Sequence, residues 1–237
     1  MREGSPLIEA EYLKKSFPPN FVFAGRDISI GYGETVAFLG ANGSGKSTLF
    51  ELLTGNMDAS EGEVFFRGER LLPERFLLKR QIGYLPQIMH LPKWVTACEI
   101  LSYASSLYGL SDRKQRVKES LAFWDCEEFQ KRPLAVCSFG MQKRVGLALA
   151  TLHDPICLVL DEPFSGLDLY HIHTLEQAIQ RRHAEGKSTL LSTHILSFVV
   201  KLCRKVFLLD EGLLSPLIGW DSLSSEEKEK RIERHFF

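Results

Sequence analysis

The sequence predicts an α/β fold in which a mostly parallel sheet is covered by helices on both faces. Three observations predict it. Residues 156–160, 188–192 and 206–209 are short apolar runs of strand length. Between them the chain places Leu169, Ile172, Leu175 and Ile179, and then residues 195–203, at helical spacing. Such alternation builds parallel sheets, because parallel neighbours need a crossover connection, usually a helix. The second observation is an apolar strand, 35–39, that runs directly into the glycine-rich stretch 40–45 and then a helix. The third is that strand 156–160 ends on two carboxylates, Asp161 and Glu162.

The remaining elements follow in order. Residues 7–12 and 21–30 read as β segments separated by the turn residues Pro18, Pro19 and Asn20. Residues 31–34 form a turn, 35–39 a buried strand, 46–54 a helix and 62–68 a further β patch. From 87 to 136 the pattern turns helical. Thr96 and Glu99 have the spacing of a capping box, Ile100, Leu101, Ala104 and Leu107 recur at helical intervals, and Gly109 ends that helix. Ser111 starts a second, more charged helix striped by Val117, Leu121 and Trp124. This stretch, about 88–137, is expected as a helical insertion into a domain spanning 1–212. Residues 139–152 are a further helix, and 213–237 are expected as a short C-terminal tail whose charged run begins with a second capping-box pattern, Ser224 and Glu227.

Composition narrows the function classes. The 237 residues carry a net charge of −1, which gives no broad attraction to nucleic acid. Five cysteines, none in a C-x-x-C pair, point to a reducing compartment without disulfides or zinc. No apolar stretch approaches the roughly 20 residues that cross a bilayer, and the nearest, 198–209, is broken by Lys201, Arg204 and Lys205. The first residues carry charges with no apolar run behind them, so no secretory signal is expected. His171 and His173 lie two apart on a helix, do not share a face, and are expected on the solvated surface. Arg113, Lys114, Arg116 and Lys118 are expected on an exposed helix face, with contact to membrane headgroups as the alternative. Residues 88–94 are apolar for a loop, which suits either core packing or a docking surface.

The chemistry begins at Gly40-Ala41-Asn42-Gly43-Ser44-Gly45-Lys46-Ser47, which fits G-x-x-x-x-G-K-[ST], with Thr48 next in the helix. Glycines let the backbone curl until successive N–H groups converge on phosphate oxygens. The helix behind adds its positive end. Lys46 can reach the β- and γ-phosphates, and the Ser47 hydroxyl is placed for Mg²⁺. This marks a P-loop NTPase core. Beside such a loop the acidic strand end acquires a role: Asp161 can hold Mg²⁺ through water, and Glu162 can orient the attacking water.

From about residue 7 to 212 the chain resembles the ABC (ATP-binding cassette) ATPases. Gln87, in Gly-Tyr-Leu-Pro-Gln, resembles the Q-loop glutamine, and Ser165-Gly-Leu-Asp168 the D-loop. His194, in Leu-Ser-Thr-His, resembles the switch histidine, and Phe17 the aromatic that stacks on adenine. The signature, usually Leu-Ser-Gly-Gly-Gln, reads Cys137-Ser138-Phe139-Gly140-Met141, similar to a Ser-x-Gly-Met branch often paired with separate export-type membrane proteins. The resemblance implies a mostly parallel core sheet, an antiparallel β subdomain and a helical subdomain. It implies Glu162, His194 and Gln87 as catalytic residues. Phe17, residues 40–48, Ser138 and Gly140 would bind nucleotide, and Ser47, Gln87 and Asp161 would hold Mg²⁺. ATP and Mg²⁺ would be the substrate and cofactor. The implied partners are a second cassette in a homodimer and a separate transmembrane permease, on the cytoplasmic face of a membrane, with no nucleic acid. The alternative is a cytosolic ABC ATPase serving assembly or remodelling without transport.

Overall fold

The structure, a computed structural model, describes residues 5–17, 20–25 and 27–236. Strands β1 (Ile8–Phe17), β2 (Asn20–Gly25) and β3 (Ile28–Ile30) open the chain, followed by β4 (Thr35–Leu39) and helix α1 (Lys46–Leu53). Next come β5 (Glu61–Phe66), β6 (Glu69–Arg70), the short α2 (Phe76–Lys79) and β7 (Ile82–Leu85). Helices α3 (Ala97–Leu107), α4 (Arg113–Phe123) and α5 (Phe139–Thr151) lead to β8 (Cys157–Asp161), α6 (Leu169–Ala184) and β9 (Ser188–Ser192). The chain ends with α7 (Leu196–Leu202), β10 (Lys205–Asp210), β11 (Leu213–Pro216) and α8 (Ser225–Phe236).

The strands form one sheet in the order β6-β5-β1-β2-β11-β10-β4-β9-β8-β7, with β3 paired to β1. The run from β10 to β7 is parallel, and β1 pairs antiparallel with β2, β3 and β5. The expected parallel core and antiparallel β subdomain are thus both present, joined through the parallel β2–β11 pair.

Two hydrophobic cores sit on the two faces of the sheet, and strand period decides which residue enters which. In β4, Ala37 and Leu39 join the core under the helical insertion, whereas Val36 and Phe38 join the core around α1. In β8, Leu158 and Leu160 take the first face, and Cys157 and Val159 the second. Phe38 packs edge-on against Phe50 of α1 and stacks on Phe207 of β10, fixing α1 behind the loop that precedes it.

The helical insertion is tied at its base. Leu134 N–H donates to Val95 carbonyl at 2.9 Å, and Ala135 N–H to Lys93 carbonyl at 2.8 Å. The capping box of α3 forms as expected: Glu99 N–H donates to Thr96 Oγ1, and Glu99 accepts from Thr96 N–H. Val117, Leu121 and Trp124 are buried. Helix α4 starts at Arg113 rather than at Ser111, behind Asp112 in the left-handed region (φ 51°), with no side-chain cap.

Several sequence expectations need correction. Strand β1 runs on to Phe17, and the second β segment divides into β2 and β3. Pro18 and Pro19 lie outside the described residues. Leu169 does not share the buried face of α6; it opens the first turn and is exposed. Residues 213–237 are more than a tail. Residue 212 falls in the turn of the antiparallel β10–β11 hairpin, and Trp220 and Ile232 are buried in the first core. Trp220 Nε1 donates to Cys203 carbonyl at 2.9 Å. The run of charges hides this, because the buried Ile232 of α8 stands among Glu, Lys and Arg in the sequence. The Ser224–Glu227 cap is present.

His171 is also misread by spacing. It is buried, with Nδ1 2.7 Å from Asp168 Oδ1 and Nε2 3.0 Å from Arg144 Nη1. Arg144 must donate, so the geometry fits the tautomer whose Nδ1–H donates to Asp168. His173, one face away, is exposed as expected.

Candidate functional site

The parallel strands end level with one another. Leu85 pairs with Leu160, Asp161 with Ser192, and Ser192 with Phe38. Residues just beyond these ends therefore gather on one edge of the sheet, where open α/β sheets bind ligands. That register brings together the loop after β4, Asp161 and Glu162 at the end of β8, and His194 two residues past β9. Gln87 follows β7 by two residues and is exposed on the same edge.

At the loop, Gly45 is the N-cap of α1 with φ 103°, a conformation that side chains disfavour, and no side chain caps the helix. The first amides of α1 are left for an anion. Ala41, Asn42 and Gly43 are exposed, and Ser44 Oγ is buried without a protein partner. Lys46 folds back over the loop, donating to the Gly40 carbonyl at 2.7 Å and the Ala41 carbonyl at 2.9 Å. Burial pushes its pKa down, opposed by the charges of Glu162 and Asp161.

Ser47 Oγ, on the first turn of α1 beside Thr48, donates to Asp161 Oδ2 at 2.5 Å. Ser192 Oγ donates to the other oxygen, Asp161 Oδ1, and accepts from Glu162 N–H at 2.9 Å. One serine thus fixes both acids. Ser192 goes unread in the sequence, although a hydroxyl at a buried strand end two residues before His194 is a readable signal. Glu162 has φ 45° and is buried, and its Oε2 lies 3.0 Å from Nδ1 of the exposed His194.

Ser138 and Gly140 open α5. Ser138 Oγ accepts from Met141 N–H at 3.2 Å, as a helix cap should, and Phe139 between them is exposed. Phe17 ends β1 in the antiparallel region, partly exposed, with Lys15 Nζ 5.3 Å from its ring centre. The structure brings the loop, Asp161, Glu162 and His194 together. It sets Ser138 and Gly140 on α5 and Phe17 on β1, where none touches that cluster through a described hydrogen bond or ring contact.

The ABC transporter family model matches residues 24–165, a span that includes the loop, Gln87, the signature and both acids. The chain belongs to the ABC transporter family. This ABC cassette is 35% identical over 212 residues to YxlF of Bacillus subtilis, an uncharacterised ABC transporter ATP-binding protein, covering 88% of this chain and 70% of that one. It is 32% identical to the Nod factor export ATP-binding protein I of Rhizobium sp., covering 86% of this chain and 68% of that one. Among solved structures, an ATP-binding subunit of an ABC transporter superposes with a TM-score of 0.84 at 30% identity, covering 96% of this chain and 99% of that one. A dimeric post-hydrolysis cassette bound to ADP and Pi shares the fold, with a TM-score of 0.80 at 22% identity over 90% of this chain and 99% of that one. Among the described residues of this ABC cassette, no helix is long and apolar enough to cross a membrane.

Proposed function

We propose that this cassette binds ATP with Mg²⁺, hydrolyses it, and uses closure against a second cassette to drive a separate membrane permease. The observation that carries the reading is the cluster at the sheet edge: Lys46 in its loop, Ser47 on Asp161, and Glu162 against His194. Residues 40–48 cradle the phosphates, and Lys46 swings from the loop carbonyls to the β- and γ-oxygens. Ser44 Oγ then finds the partner it lacks. Two oxygen donors 2.5 Å apart, Ser47 Oγ and Asp161 Oδ2, suit a hard cation. With Gln87 they would hold Mg²⁺, which offsets phosphate charge when bound. Glu162 orients the attacking water, and His194, already within hydrogen-bond reach of Glu162, faces the γ-phosphate. Phe17 stacks on the base.

Ser138 and Gly140, at the exposed start of α5, bind nucleotide across the interface with the second cassette. The helical insertion, about 88–137, ends immediately before them and leads into α5. Ile88 and Trp94 are exposed on the loop that enters it, whereas Met89 packs against Gly146 and Leu91 against the core. Ile88 and Trp94 are therefore the docking residues for the permease, and the cassette works on the cytoplasmic face of a membrane. The Ser-x-Gly-Met signature and the likeness to an export ATP-binding protein favour export.

The test is Glu162→Gln. It should bind ATP-Mg²⁺ with near-normal affinity yet turn over at least ~100-fold more slowly. Turnover close to that of the unaltered protein would remove Glu162 from the chemistry.

A further inference from the structure

Lys143 is buried to 1% exposure on α5, one turn behind the signature, and no role assigned so far explains a cation there. Its Nζ donates to the Glu162 carbonyl at 3.2 Å. The Glu162 N–H is bound by Ser192 at 2.9 Å. Both main-chain polar groups of this acid are therefore held, the amide from β9 and the carbonyl from α5, with Ser165 N–H also donating to the carbonyl at a longer 3.4 Å. Glu162 needs this, because its φ of 45° places a residue with a Cβ in the left-handed region. Such a conformation costs of order 1 kcal/mol or more and persists only where its surroundings over-determine it.

The rest of the contact locks α5 onto the turn after Glu162. A Cβ on Gly140 would lie 2.5 Å from the Gly166 carbonyl, so glycine is what permits the approach. Phe139 lies along Gly166, and the Lys143 ammonium sits 5.7 Å from the Phe139 ring centre. Burial lowers the pKa of Lys143, and Asp161 and Glu162 pull it back up.

We propose that Lys143 is a positioning residue for hydrolysis, clamping the Glu162 main chain so that its carboxylate stays aimed at the attacking water. The inference rests on the reading of Glu162 as the water-orienting acid. It gives α5 two roles. The start of the helix faces the partner's nucleotide, while its second turn holds the acid of its own site. A shift of α5 on closure is thereby passed to Glu162.

The experiment compares steady-state ATP hydrolysis and ATP-Mg²⁺ binding for the unaltered chain, Lys143→Met, Lys143→Gln, Glu162→Gln and the double variant Lys143→Met/Glu162→Gln. Lys143→Met should lower kcat about 10- to 100-fold with KM and ATP affinity within about twofold. Lys143→Gln, which retains an N–H donor, should lose less, about 3- to 10-fold. In the Glu162→Gln background, Lys143→Met should cost nothing further, since the group it positions is gone. An unchanged kcat, a matching loss of ATP affinity, or a full additional loss in the double variant would each overturn the proposal. Should Lys143→Met fail to fold, Lys143→Gln alone and with Glu162→Gln decides by the same non-additivity. If Glu162→Gln itself turns over normally, the reading of the acid falls, and this inference with it. If Glu162→Gln is slow and Lys143→Met is not, only this inference falls.

Discussion

On the proposed reading the starts of α1 and α5 both meet an anion, but they are finished differently. At α1 the chain supplies its own complement: Lys46 lies over the loop, Ser47 meets Asp161, and Glu162 and Asp161 close the far side. At α5 the hydroxyl of Ser138 caps the helix, Phe139 and Val136 are exposed, and the nearby cation, Lys143, turns inward. One helix start is a furnished half-site and the other a bare one. A phosphate chain bound at α1 has one side covered by this chain, and a bare, positively polarised helix end is what would cover the other. The contrast is what the proposal of two cassettes meeting head to tail rests on.

The largest expected effect breaks each half separately. Lys46→Ala and Ser138→Arg should each abolish nearly all hydrolysis. In a head-to-tail dimer, a mixed pair has one site with both defects and one with neither. Mixing equal amounts of exchanging subunits should then restore about a quarter of the normal rate, since about half the dimers are mixed and each has one intact site. Activity that stays at the level of the single variants, in a demonstrated homodimer with exchange, would place both helix starts in one chain's site or require two intact sites.

A smaller effect sharpens the contrast from the α1 side. If Phe17 stacks on the base as proposed, it should contribute to binding before any partner arrives. Phe17→Ala should raise KM for ATP and for GTP alike by roughly 3- to 10-fold, the worth of a stacked aromatic pair, and leave kcat nearly unchanged. The cation over the ring, Lys15, makes no demand on which purine stacks. A KM shift confined to one purine would show that hydrogen bonds, not the ring face, read the base.

What the sequence reveals follows the same divide between local and distant. The phosphate loop, the acidic strand end and the Thr96 cap are set by residues within a few positions of each other, and they are legible from those residues alone. His171 is misplaced by spacing because its burial depends on Arg144 and Asp125, 27 and 46 positions away. Ser192 and Lys143 go unnoticed for the same reason: they are ordinary until β9 and α5 lie beside β8. Residues 213–237 are undervalued because the buried Ile232 stands in a charged run that shows no apolar stripe, and Trp220 needs Cys203 to show its partner.

The smallest effect tests whether the far end of α5 is anchored as its start is. His153 follows that end, stacked on Tyr108 of the insertion, with Nε2 3.3 Å from the Ile82 carbonyl at the edge of β7. Burial pushes its pKa down to about 4, and the cations Arg182 and Arg80 act in the same direction, against the Ile82 hydrogen bond and Asp154. Its folded pKa lies below its unfolded value, so the folded state holds fewer protons. The stability His153 contributes is present above the unfolded pKa and is lost as pH falls from there toward the folded pKa. Between about pH 7 and pH 5.5 this should remove about 1 kcal/mol. His153→Gln, which keeps an N–H for Ile82 but cannot titrate, should show a shallower loss of stability over that interval in urea unfolding. The Lys46→Ala and Ser138→Arg mixing result should not change in its background, because the anchor holds the helix and not the nucleotide. An equally steep acid loss in His153→Gln would mean that His153 is already solvated and the far end of α5 is not anchored there.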